Sequence, residues 1–93
     1  MTIGFLKLDI YLPGASSMKD KRSVVNSIKS RVRNKYNVSI AETEPNNYWG
    51  KVSLGIATIN DSYSVVSNTL ADIEKFIETN FSVVIMGRTV EYL

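Results

Sequence analysis

The sequence contains neither cysteine nor histidine. That removes disulfides, thiolate nucleophiles, imidazole bases and the usual zinc ligand sets. Catalysis would have to rest on carboxylates, Lys, Tyr or hydroxyls, and no recognisable set of catalytic groups stands among them. No catalytic residue, metal site or cofactor is expected, and the chain reads as a non-enzyme. Proline and glycine are scarce, at two and five of 93 residues. No linker, repeat or low-complexity segment interrupts the chain, so one domain over residues 1–93 is expected. Long apolar runs are missing too. The N-terminal "MTIGFLKLDIYL" carries Lys7 and Asp9 inside its apolar stretch, unlike a signal peptide. Nothing approaches the roughly 18 apolar residues of a membrane span. A cytoplasmic protein with no membrane partner is expected.

What is present is hydrophobic periodicity. Leu6, Leu8, Ile10 and Leu12 alternate with Phe5, Lys7, Asp9 and Tyr11, the period of a strand, and Pro13-Gly14 ends it. Ser17 reads as a helix N-cap with Asp20 as a short-armed capping box. Val24, Val25, Ile28 and Val32 then recur at helical spacing up to Tyr36, with Asn37 a left-handed terminator. "NVSIAET" and "KVSLGIATI" are strands joined by the turn-rich "EPNNYWG", hence antiparallel neighbours. Asn60-Asp61 offers a second N-cap, and Tyr63, Val66, Leu70, Ile73 and Ile77 mark a second helix. "FSVVIMGRTVEYL" closes as a strand with a bulge or bend at Gly87. Both Val83/Ile85 and Val84/Met86 fit its core-facing side. The order βαββαβ predicts an α+β fold, the ferredoxin-like split β-α-β plait: a four-stranded antiparallel sheet with two helices on one face.

Four segments carry a resemblance: Leu12-Pro13; Ser17-Met18-Lys19-Asp20-Lys21-Arg22; Asn37-Val38-Ser39-Ile40-Ala41-Glu42; and Trp49 followed by Leu54-Gly55-Ile56-Ala57. Together they resemble the YlxP-like family of small bacterial proteins over nearly the whole chain. Met18 stands where that family usually has Leu, and the C-terminal third matches only in pattern. The resemblance implies a ferredoxin-like fold and no established activity. Its members are often encoded beside transcription and translation factors, which points to RNA or the ribosome as partner without naming a ligand.

Charge is unevenly placed. Seven of the eleven Lys and Arg lie between residues 16 and 36, namely Lys19, Lys21, Arg22, Lys29, Arg31, Arg33 and Lys35, with Asp20 the one acid among them. At about 100° per residue, Arg22, Lys29 and Arg33 form one stripe beside the apolar face, and Arg31 and Lys35 the opposite flank. One reading is attraction to the acidic second helix, with its Asp61, Asp72, Glu74 and Glu78. The other is a phosphate-binding surface in which Lys19, Lys21, Arg22, Lys29 and Arg33 meet an RNA backbone, with Ser16-Ser17 adding N–H donors at the helix start.

The outward positions of the third strand, Ser53, Gly55 and Ala57, are small and bear no aromatic. Base stacking on the sheet, as RNA-recognition modules of this topology use it, is therefore not expected. Small residues beneath Phe5, with Ile3 and Ile59 beside them, suggest instead that something packs over this face. Phe5, Ser53, Gly55 and Ala57 are accordingly the expected contacts of a homodimer. Glu42 suits an ion pair with a cation of the first helix, while Glu44 lies in a turn and makes no obvious acid pair with it. Tyr48 and Trp49 cap the core rim, touch a second copy or offer a nucleotide a stacking platform, and the sequence leaves these open.

Overall fold

The computed structural model covers residues 1–93. The elements run β1 (Thr2–Tyr11), α1 (Met18–Lys35), β2 (Ser39–Glu42), β3 (Lys51–Asn60), α2 (Tyr63–Asn80) and β4 (Val84–Tyr92). All neighbouring strands are antiparallel, in the order β2-β3-β1-β4. This is the ferredoxin-like plait that the hydrophobic periods imply.

Alternation along the strands builds the core. Leu6, Leu8 and Ile10 of β1 and Val52, Leu54 and Ile56 of β3 are buried against the helices, along with Ile40 of β2. The helices answer with Val25, Ile28 and Val32 from α1, and Val66, Leu70, Ile73 and Ile77 from α2. Fully burying each such side chain contributes roughly 1.5–3 kcal/mol. Gly4 sets how closely α2 lies on β1. A Cβ there would stand 2.4 Å from Val66 Cγ1 and 2.9 Å from Leu70 Cδ1, so any side chain would push the helix off the sheet.

Ser17 caps α1 as expected, accepting the Asp20 N–H at 3.1 Å. The end of that helix differs from expectation. Asn37 does not adopt a left-handed conformation, and Tyr36 closes the helix in an extended one with φ −126°. Its own N–H still reaches Val32 O at 2.9 Å. The second cap also moves. Ser62, not Asn60 or Asp61, caps α2, while Asn60 Oδ1 accepts the Ser62 N–H and supports the turn from outside.

The bulge in β4 resolves its register. Asp9 faces Gly87 and Ile10 faces Ile85, so Met86 is the extra residue. Val83 and Ile85 pack on the core before the bulge and Val90 after it, while Val84 and Met86 are exposed. The phase of the strand therefore changes midway, which is what a bulge does.

Candidate nucleic-acid interface

The seven cations of the basic segment have three different surroundings. Lys21 is buried, at 3% exposure. It lies four residues before Val25 and shares a stripe with Val25, Ile28 and Val32. From beneath the helix its Nζ donates to Tyr48 O at 2.9 Å, Asn46 Oδ1 at 3.1 Å and Asn46 O at 3.3 Å. Glu42 Oε2 stands 3.9 Å away, the expected ion pair with the first helix. A buried ammonium is tolerable only with its donors satisfied, and here the β2–β3 loop satisfies them. Lys21 is thus removed from the set of residues expected to meet RNA: it ties a loop to a helix and has no surface to offer.

Arg31 and Lys35 face α2. The Arg31 guanidinium lies 4.9 Å from the centre of the Phe81 ring and 5.5 Å from that of Phe76, and Lys35 Nζ lies 4.7 Å from the Phe76 ring. The attraction between helices expected from opposite charge is therefore absent as ion pairs, and cation–π contacts occupy its place. Glu74 of α2 pairs with Arg88 of β4 instead.

Lys19, Arg22, Lys29 and Arg33 form the third group. None of them takes part in any of the chain's three ion pairs. Arg33 donates through Nη2 to Ile40 O at 3.2 Å, which draws it toward the β2 edge and leaves its other donors outward. Arg22 and Lys29 line a groove of about 350 Å³ between α1 and the β2–β3 loop, with Asn26, Pro45 and Asn46. Glu42 is the one acid on that wall, and it lies beside the ammonium of Lys21.

At the start of α1 the chain's own acid occupies Ser16. Asp20 Oδ2 accepts the Ser16 N–H and the Ser16 hydroxyl, each at 3.0 Å. Those bonds, the backbone one first, hold its carboxyl below the usual Asp value. Of the donors proposed for a phosphate, those of Ser16 are thus taken by the chain's own carboxylate.

The open sheet face also differs from its sequence portrait. Gly55 is buried: a Cβ there would meet Thr43 Cγ2 at 2.4 Å and Phe5 Cε1 at 2.9 Å. The Phe5 ring and Thr43 are what pack over the small residues, so Gly55 cannot be a dimer contact, and Phe5, Ser53 and Ala57 are only part-exposed. The middle of the face is charged. Lys7 pairs with Glu44, a bond that raises the lysine's pKa, and Asp9 Oδ1 accepts the Ser53 hydroxyl at 2.7 Å. Glu42 and Glu44 thus engage different lysines, Lys21 and Lys7, and do not form an acid pair. No group of three or more carboxylates is placed to hold a metal ion, and no helix is long and apolar enough to cross a membrane.

Residues 3–89 match the family described as Protein of unknown function (DUF503). The chain belongs to that family. It is 36% identical over 77 residues to a Bacillus subtilis (strain 168) relative named "Uncharacterized protein YlxP", covering 83% of this chain and 84% of the relative. Among solved structures, a de novo designed protein with a ferredoxin fold superposes with a TM-score of 0.67 at 19% identity, over 98% of this chain and 86% of that one. SnoaB, a cofactor-independent oxygenase from Streptomyces nogalater, gives 0.51 at 7% identity, over 99% and 90%. At such identities these two speak for the DUF503 chain's fold alone.

Proposed function

We propose that this DUF503 chain is a non-enzymatic RNA-binding protein that contacts the phosphate backbone along the β2-facing flank of α1. One observation carries this reading: Lys19, Arg22, Lys29 and Arg33 stand on one helix with no acid paired to any of them. Four unpaired cations on one short surface concentrate positive potential where a polyanion can displace its own counterions onto solvent. Lys and Arg that touch phosphates position a strand and do not select its sequence.

Engaging three or four phosphates gives a slope of log K against log salt of roughly −2 to −3, at about 0.7 per phosphate on single strands. The double change Lys29→Glu with Arg33→Glu, measured by gel retardation and by circular dichroism, is expected to abolish binding in a folded protein. Unchanged affinity in that folded variant would reduce the basic segment to a solvated face.

A second reading is self-association through the open sheet face. It is favoured by the order of Lys7 and Asp9 in the middle of β1. A two-fold axis passing between them would set each against its opposite in a second copy, as isologous interfaces require. Exposed Ile59, Val84 and Met86 lie around them. Light scattering tests this: Asp9→Lys should turn a dimer into a folded monomer, and a parent that is monomeric at high concentration ends the reading.

A further inference from the structure

Tyr48 and Trp49 are 49% and 42% exposed, on the loop whose other end walls the cation groove. Two large aromatic rings in water are usually mobile, but the backbone that carries these is fixed. Buried Lys21 donates to Tyr48 O at 2.9 Å and to Asn46 O at 3.3 Å. Asn46 Oδ1 accepts from both Lys21 Nζ and the Tyr48 N–H, at 3.1 and 2.8 Å. Gly50 O receives the Leu12 N–H at 2.8 Å, anchoring the loop to the end of β1. The Tyr48 ring rests on Gly50 so closely that a Cβ there would stand 2.7 Å from it. A burial-costly lysine and a glycine thus hold two rings in place without covering them.

We propose that Tyr48 and Trp49 form a stacking platform for an unpaired base of the strand whose phosphates lie on Arg22 and Lys29, so that the ligand is single-stranded RNA. This rests on the phosphate-binding reading above and adds a substrate class to it. Continuity supports it: Pro45 and Asn46 line the groove, and Lys21, on the helix that forms its other wall, holds the Tyr48 carbonyl of the same loop. The two rings are 5.6 Å apart, centre to centre, and tilted by 41°. That is the spacing of rings already in mutual contact, so a base lies on an outer face of the pair and is not inserted between them. Stacking accepts any base and needs one that is out of a duplex. On the sheet, Gly55 is sealed beneath Phe5 and the outward positions of β3 carry no aromatic to pair with it.

Trp49 is the only tryptophan, so emission of the unaltered protein excited at the red edge, where tyrosine does not absorb, reports on this site alone. The probes are a short oligoadenylate and an RNA duplex of equal length. Emission should change on titration with the single strand and far less with the duplex. Trp49→Ala should weaken binding of the single strand by roughly 5- to 100-fold, and Trp49→Phe should restore part of it. If the oligoadenylate binds, and Lys29→Glu with Arg33→Glu abolishes that binding, yet Trp49 emission stays constant, the platform is refuted and the phosphate reading stands. A preference for the duplex also refutes it. An emission maximum that shifts with protein concentration without RNA would assign the rings to a contact between copies. Failure of both RNAs to bind overturns this inference and the phosphate reading together.

Discussion

The two flanks of α1 carry the same chemistry in the sequence and meet opposite fates in the fold. On the α2 side, Arg31 and Lys35 lie over Phe76, Phe81 and Tyr36, and Arg31 also reaches Asn80 Oδ1 at 3.4 Å. On the β2 side, Arg22 and Lys29 border a groove and have no charged partner, and Arg33 leans on a single backbone carbonyl. A cation count therefore says little about binding. What matters is which neighbouring element the helix turns each cation toward. Aromatic rings satisfy one flank within the molecule, while the other is left for something outside it.

Between the flanks sits Lys21, and it offers the largest test. Lys21→Met keeps the length of the side chain and its place on the apolar stripe. It also leaves Tyr48 O and Asn46 O without their donor, and Glu42 without its counter-charge. The expected loss is roughly 2–4 kcal/mol. Domains of this size shift by about 4–8 °C per kcal/mol, so the melting temperature should fall by about 10 °C or more. A melt within a degree or two of the parent would mean that the loop holds itself, and that Lys21 belongs with the surface cations after all.

That misplacement shows where the sequence stops being legible. Period-two and helical spacing were enough for the six elements, because each buries a face against its neighbours and the pattern is local. Lys21 is local too. It continues the Val25, Ile28, Val32 stripe backward by four residues, and the spacing identifies it as inward once the residue type is set aside. The bulge is half legible: Gly87 signals it, but alternation on either side is regular, and only pairing with Asp9 and Ile10 makes Met86 the extra residue and reveals the change of phase. Thr43 over Gly55 and Lys7 against Glu44 are non-local. They depend on how the β2–β3 segment folds across the sheet, and no spacing along the chain encodes that. The ring contacts of Arg31 and Lys35 depend likewise on the crossing of the two helices.

The reversal Lys29→Glu with Arg33→Glu comes next in size, as a loss of binding with little loss of stability. The Lys29 side chain makes no hydrogen bond within the chain, and that of Arg33 gives up one bond to Ile40 O, at 3.2 Å. Its informative partner is a change on the other flank.

Arg31→Ala should have the smallest effect, and it decides whether the flanks differ in kind. The guanidinium stacks at 4.9 Å from the Phe81 ring centre and 5.5 Å from that of Phe76. A cation–π contact at an exposed site contributes about 0.5–1 kcal/mol, so the melting temperature should fall by a few degrees, near 4 °C. Arg31→Lys should recover only part of that, since an ammonium keeps the charge but loses the flat face that lies on both rings. RNA affinity should change little in either variant, because Arg31 points its charge into the seam between helices. One surface charge is still lost in Arg31→Ala, so a slight weakening at low salt that vanishes at higher salt is consistent with the division. If Arg31→Ala instead weakens RNA binding as much as Arg22→Ala does, with the salt slope reduced equally, the strand crosses both flanks. The groove beside β2 would then have no special claim on it.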